Sequence, residues 1–212
     1  MRPIIILGAG GHARVLADVL LQLKTPILGC VAPERPEKPL SGLDYLGNDS
    51  EICKYPAGEV TLVNGVGSVG NPAVRRGVFT RLSDAGYSFA TVIHPSAIVG
   101  SAVELAEGVQ LMAGAIIQSG CRIGKNAIVN TGARVDHDCE IGADAHIAPG
   151  AVLSGDVKVG ERSHIGTGAS VRQAVHIGAD VVIGVGAAVI FDIPAGALAV
   201  GVPARCIRNR FK

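Results

Sequence analysis

Every sixth residue from Ile93 to Val189 is Ile, Val or Leu, seventeen positions without a gap. Four residues after each stands a small or branched side chain, as at Ala115, Cys121, Ala127, Ala133, Cys139 and Ala145. Neither the 3.6-residue period of a helix nor the alternation of a strand generates a period of six. That period marks a parallel β-helix, in which each hexapeptide supplies a short strand and a corner and three hexapeptides close a triangular coil. Residues 18 apart then stack on neighbouring coils, roughly 4.8 Å from one another. Three residues past each aliphatic come mostly Gly, Asn and Asp, which tolerate the left-handed conformation of a tight corner. One corner column, Gly114, Gly132, Gly150, Gly168 and Gly186, is glycine on five successive coils. Corner geometry is one sufficient reason; an edge stripped of side chains for an extended ligand is the other.

Ahead of the repeat the pattern changes. Residues 3–7 read as a buried strand, followed by Gly8-Ala9-Gly10-Gly11-His12 and by Val15, Leu16, Val19, Leu20 and Leu23 at helical spacing. Strand, glycine-rich turn and helix make the first unit of a Rossmann-like fold, whose helix N-terminus offers free N–H groups to a phosphate. Residues 27–31 and 60–63 read as further strands, with loop and one short helix from Ser50 between them. Asn71-Pro72 reads as the N-cap and first position of a helix reaching about Ala85, and residues 87–91 as a last strand. The expected organisation is an α/β Rossmann-like domain over 1–91 and an all-β left-handed β-helix over 92–212, ending in a basic tail (Arg205, Arg208, Arg210, Lys212). A dinucleotide site is disfavoured, because the second strand ends in Val31-Ala32-Pro33 where an acidic residue would meet the ribose.

Composition removes whole classes of function. A net charge of +1 gives no electrostatic case for nucleic acid or a membrane surface. Aromatic residues are 3% and Trp is absent, which leaves little for base stacking. No apolar run approaches a membrane span, and the opening Met1-Arg2-Pro3 is too short for a signal peptide. Five cysteines without a CxxC spacing point to a reducing, cytoplasmic setting. Cys121 and Cys139, 18 apart, read as small interior side chains in one slot, with a disulfide the alternative.

Among the histidines of the repeat, His146, His164 and His176 immediately precede an aliphatic position, and His146 and His164 stack. His137 differs. It lies in Asp136-His137-Asp138-Cys139, and its neighbour one coil on is Gly155, where a space is expected beside the ring. An imidazole with a carboxylate and room for an acceptor is what a general base needs. The separations 9, 18 and 12 contain no pair of histidines five apart, the pattern of β-helical zinc carbonic anhydrases, and no metal is expected. No Gly-x-Ser-x-Gly or Cys–His signature of a covalent nucleophile occurs.

Gly8-Ala9-Gly10-Gly11-His12-Ala13, Asn130-Thr131, Val135-Asp136-His137-Asp138-Cys139-Glu140-Ile141-Gly142, His146-Ile147-Ala148-Pro149-Gly150 and the closing Gly201-Val202-Pro203-Ala204 together resemble the bacterial nucleotide-sugar N-acetyltransferases. Those enzymes acetylate the 4-amino group of UDP- or GDP-linked deoxyamino sugars; sialic acid O-acetyltransferases look similar. The resemblance implies a cytoplasmic homotrimer using acetyl-CoA, with a nucleotide-linked amino sugar on the N-terminal domain near Gly10, Gly11, His12 and Gly67. It implies His137 as general base with Asp138 beside it, and His146, Gly155 and Thr167 along acetyl-CoA. Ala32-Pro33 departs from the two acidic residues that one member of the family has there and leaves UDP, GDP and CMP open as the nucleotide. An O-acetyltransferase of sialic acid or another sugar, and a non-enzymatic trimeric scaffold, are the alternative functions.

Overall fold

The computed structural model describes residues 2–38, 40, 42–69 and 72–209, and the chain divides into two compact units, 1–95 and 96–212. The Asn71 N-cap and the tail residues Arg210 and Lys212 lie outside the described residues.

The first unit is built on a four-stranded parallel sheet of β1 (Ile4–Leu7), β2 (Ile27–Val31), β3 (Tyr45–Gly47) and β4 (Thr61–Asn64), in the order β3-β2-β1-β4. All four residues of β1 are buried, as the central strand of a covered sheet requires. Helix α1 (Gly11–Gln22) buries Ala13, Leu16, Ala17, Val19 and Leu20. Val15 and Leu23, which the spacing also put on that face, are each 44% exposed; the small Ala13 and Ala17 complete the stripe in their place. Helix α2 (Pro72–Asp84) places Phe79 and Leu82 in a core with Ile5, Leu7, Val31, Leu62 and Phe89.

Two sequence readings change here. β3 forms inside the stretch expected to be loop, ahead of a 3₁₀ helix over Asp49–Lys54. The strand expected at 87–91 is a single bridge of Phe89 to Leu62, held by Leu62 N–H to Ser88 O and Ala90 N–H to Leu62 O. Arg75 is a further surprise. It sits 2% exposed in α2, donating from Nη1 to the carbonyls of Asn64 and Val66 at 2.8 Å each, while Asn64 Nδ2 donates back to Arg75 O. The helix thereby fixes the loop after β4.

The second unit is a left-handed parallel β-helix of two-residue strands. Its charged face stacks Glu104, Arg122, Glu140, Lys158 and His176; its histidine face stacks Gln110, Ile128, His146, His164 and Val182. The third face stacks Ile98, Ile116, Arg134, Val152, Ser170 and Ala188. The second residue of each strand points inward. From Leu111 to Val189 every sixth residue is no more than 3% exposed, each such burial contributing about 1.5–3 kcal/mol. Val99, in the terminal coil with a neighbour on one side, is 38% exposed.

All fifteen corner positions from Ala102 to Gly186 at six-residue spacing have φ between 55° and 76°. Only seven of them are glycine; Ala102, Asn126, Asp138, Asp144, Asp156, Arg162, Ala174 and Asp180 adopt the same conformation. At the corner between the charged and histidine faces these side chains link coils, with Asn126 Nδ2 donating to Asp144 Oδ1 at 2.7 Å and Arg162 forking onto Asp180 at 2.8 and 2.7 Å. The ends of the stack are covered too. Ser96 Oγ accepts from Gly114 N–H where carbonyls serve on later coils, and an antiparallel hairpin of Ala197–Val200 with Arg205–Asn209 closes the histidine face.

A second glycine column, Gly124, Gly142, Gly160 and Gly178, has a different cause. An added Cβ at Gly124 would lie 2.6 Å from the backbone nitrogen of Ala143, and the same collision recurs one coil on at each of the others. Backbone cannot give way as a side-chain tip can. Gly142→Ala is therefore expected to cost several times the stability lost in Gly132→Ala, whose only cost is the left-handed conformation, about 1–2 kcal/mol; urea denaturation of the two variants measures the difference.

Candidate active site

His137 occupies the corner between the third and charged faces, directly after Arg134–Val135. Its backbone is held on both sides: Asp136 Oδ1 accepts its N–H at 2.8 Å, and its carbonyl accepts Asp156 N–H at 2.8 Å. Asp138 follows at φ 59° and brings Oδ2 to 2.9 Å from His137 Nδ1. A carboxylate only accepts, so Nδ1 carries the proton and the lone pair of the neutral ring is at Nε2. Nε2 makes no hydrogen bond to any described residue, and the side chain is half exposed. The hydrogen bond to Asp138, with the charges of Asp136 and Asp138, raises the imidazole above its ordinary value of 6.5.

Two glycines make room for this pair. A Cβ at Gly155 would lie 2.5 Å from His137 Cε1, and one at Gly120 would run into Asp138 Oδ1. The space expected beside His137 is thus occupied by the imidazole itself, whose edge rests on Gly155. An acceptor must approach from the solvent side. The only signal of Gly120 in the sequence is its place 18 residues before Asp138.

His146 is 5% exposed on the histidine face, where its Nε2 meets Asn130 Nδ2 at 3.0 Å. Asn130 Oδ1 accepts Thr131 N–H at 2.8 Å, which orients the amide so that it donates to the ring. His164 packs edge-on at 4.8 Å between centroids, and burial lowers its pKa. Thr167 is exposed beside Gly168, at the corner between the histidine and third faces. The structure therefore unites His137, Asp138 and Gly155, and sets His146 and Thr167 on other parts of the prism. Cys121 and Cys139 are buried and free. Among the described residues no three His, Cys, Asp or Glu side chains are grouped to hold a metal.

In the first unit Gly10 is the N-cap of α1 and Gly11 its first residue, and no side chain caps the helix start. Gly10, Gly11 and Gly67 leave open space where a Cβ would stand, whereas at Gly65 a Cβ would lie 2.7 Å from Ala13 Cβ. His12 is half buried behind the turn. A small apolar pocket opens at the carboxyl ends of the strands, lined by Leu7, Gly8, Val31, Pro33, Val66 and Arg81, the place where parallel α/β sheets take ligands.

Two family models match the chain: the PglD N-terminal domain over residues 3–82 and the bacterial transferase hexapeptide (six repeats) over 120–155. A solved structure of perosamine N-acetyltransferase from Caulobacter crescentus, in complex with CoA and GDP-perosamine, is 37% identical over 98% of both chains, with a TM-score of 0.91. The acetyltransferase domain of PglB from Neisseria gonorrhoeae, in complex with acetyl coenzyme A, is 35% identical over 97% of this chain and 99% of its own, with a TM-score of 0.90. The curated UDP-N-acetylbacillosamine N-acetyltransferase of Bacillus subtilis is 38% identical over 113 residues, which are 53% of this chain and about half (52%) of that relative. The chain belongs to the nucleotide-sugar N-acetyltransferases of the hexapeptide-repeat family.

The raised pKa has a definite sign. Protonated His137 is favoured by folding, so this pair stabilises the fold at pH below 6.5 while Asp138 is ionised, and the contribution is lost as pH rises through the raised value. Asp138→Asn is expected to bring the His137 titration, followed by NMR of the labelled imidazole, down towards 6.5; an unchanged titration would exclude Asp138 as the cause.

Proposed function

We propose that this protein transfers the acetyl group of acetyl-CoA to an amine, at C4, of a nucleotide-linked deoxyamino sugar, with His137 as general base. The observation that carries the reading is the locked ring of His137: Nδ1 tied to Asp138, Nε2 without a hydrogen bond to any described residue, and the side chain half exposed. The neutral sugar amine attacks the thioester carbonyl while Nε2 takes its proton. The tetrahedral intermediate then expels the CoA sulfur, to which the imidazolium returns the proton. Amide and CoA thiol are the products, and no acyl-enzyme forms. Backbone N–H groups suit the oxyanion.

The relatives solved with CoA, acetyl-CoA and GDP-perosamine support the co-substrate and the acceptor class. Residues 1–91 would hold the sugar nucleotide, its diphosphate at the helix N-terminus near Gly10, Gly11 and His12, with Gly67 alongside. Residues 92–212 would hold acetyl-CoA. Its extended arm suits the corner of Gly114, Gly132, Gly150, Gly168 and Gly186, where Thr167 stands, because other corners manage the same φ with larger residues. Gly155 lies at the corner between the third and charged faces, Thr167 at the corner between the histidine and third faces, and His146 on the histidine face. A homotrimer, in which the His137 corner of one copy faces the glycine corner of the next, would assemble them into one site. The five free cysteines and the acetyl-CoA chemistry suit a cytoplasmic enzyme; no helix is long and apolar enough to cross a membrane among the described residues.

His137→Ala should lower kcat by about 10²–10⁴-fold with acetyl-CoA binding retained by calorimetry. Full turnover in that variant would remove His137 as the base, and absence of acetyl-CoA binding by the wild type would favour the scaffold. A panel of UDP-, GDP- and CMP-linked acceptors, read by mass of the acetylated product, assigns the nucleotide and exposes an O-acetyltransferase if only a hydroxyl sugar reacts. Light scattering is expected to give three times the 21.6 kDa chain mass; a monomer that remains active would sink the shared site.

A further inference from the structure

The inward column behind the His137 corner reads Val103, Cys121, Cys139, Val157, Val175. Cys121, Cys139, Val157 and Val175 are all buried, at 1% exposure or less, so valine fills this slot adequately. The two coils with cysteine are those that carry Gly120 and the Asp136–Asp138 segment. Cys121 Sγ donates to Asp136 O at 3.0 Å, the carbonyl that leads into His137. Cys139 Sγ donates to Ser154 O at 3.2 Å, the carbonyl that leads into Gly155, on which the imidazole rests. Each thiol reaches 15 residues forward, to the same corner of the next coil, a carbonyl that a valine would leave without this donor. We propose that Cys121 and Cys139 are positioning residues for the acid–base pair, fixing the corner that bears His137 and the corner against which its ring lies.

The proposal rests on His137 acting as the base. The two thiols also bond to one another: that hydrogen bond holds Cys121 down, to about 7, and with burial pushes Cys139 up, so Cys139 keeps its proton, while burial and the charges of Asp136 and Asp138 work against ionisation of Cys121. The protein supplies its own comparison. Ser163 sits at the same offset within its hexapeptide and donates to Gly178 O at 2.8 Å, again 15 residues on, at a corner remote from His137. A hydroxyl therefore performs the bond, and the bond by itself does not make a site.

The test uses Cys121→Val and Cys139→Val, which keep the volume the column already accepts and remove the donor, beside Cys121→Ser, Cys139→Ser and the control Ser163→Ala. Two readouts are taken on the full chain: the His137 titration by imidazole NMR, and kcat and KM for acetyl-CoA with the acceptor found by the nucleotide panel. The valine variants are expected to move the His137 titration towards its ordinary value and to lower kcat about 10-fold, small displacements being costly at a reacting centre, with KM for acetyl-CoA little changed. The serine variants should restore both readouts, and Ser163→Ala should lower the melting temperature while moving neither. Valine variants that titrate and turn over like wild type overturn the proposal, as does Ser163→Ala shifting the His137 titration equally. If His137→Ala turns over normally, the reading of His137 as base fails; the titration arm still decides whether the thiols fix its ring.

Discussion

A corner of this prism must turn the chain from one face to the next in about four residues, and one of the four must take positive φ. L-residues resist that conformation, and Gly, Asn and Asp resist it least. The constraint decides where carboxylates can stand. Asp138, Asp144, Asp156 and Asp180 are all at such positions, and three of them serve structure or stand alone. Only Asp138 follows a histidine. The acid that fixes the tautomer of His137 is therefore a residue type the corner already favours, and its direction is set by the backbone angle that closes the coil. The imidazole of His137 is held by the same geometry that builds the frame.

Glycine in this chain answers to three separate demands, which a count of 29 cannot separate. Gly124, Gly142, Gly160 and Gly178 yield to the backbone of the next coil. Gly120 and Gly155 yield to the side chains of Asp138 and His137. Gly132, Gly150, Gly168 and Gly186 yield to nothing within 4 Å and are asked only for a left-handed angle. The second demand is the informative one, because at Gly120 and Gly155 it is local to the His137–Asp138 pair and has no part in stacking the coils.

The six-residue ladder made the β-helix legible in the sequence, since each inward aliphatic is forced by the same stacking and any single one could have betrayed a different fold. The His137–Asp138–Gly155 grouping was legible through the 18-residue offset alone. What the sequence could not display was the sense of the gap at Gly155, because whether a ring leans into a space or away from it depends on χ angles set by Asp138. β3 escaped because three residues carry no period, and it forms through pairing with β2. Arg75 escaped because a buried guanidinium looks like any surface arginine of a polar helix until the carbonyls of Asn64 and Val66 are placed around it.

The two units solve the problem of an exposed backbone in opposite ways, and that difference bears on their roles. In the prism nearly every corner N–H is bonded to the coil below, so the backbone has little left to offer a ligand except at its edges. The helix start at Gly10–Gly11 keeps its N–H groups without a side-chain cap, in a turn where neither a steric clash nor a positive φ asks for glycine at those two positions. An uncapped helix end costs stability when left so. An anionic group bound there would supply the missing acceptors and meet the positive end of the helix dipole. The first unit thus offers a ligand the backbone of a helix start without a side-chain cap, and the prism offers side chains, the fixed imidazole of His137 among them.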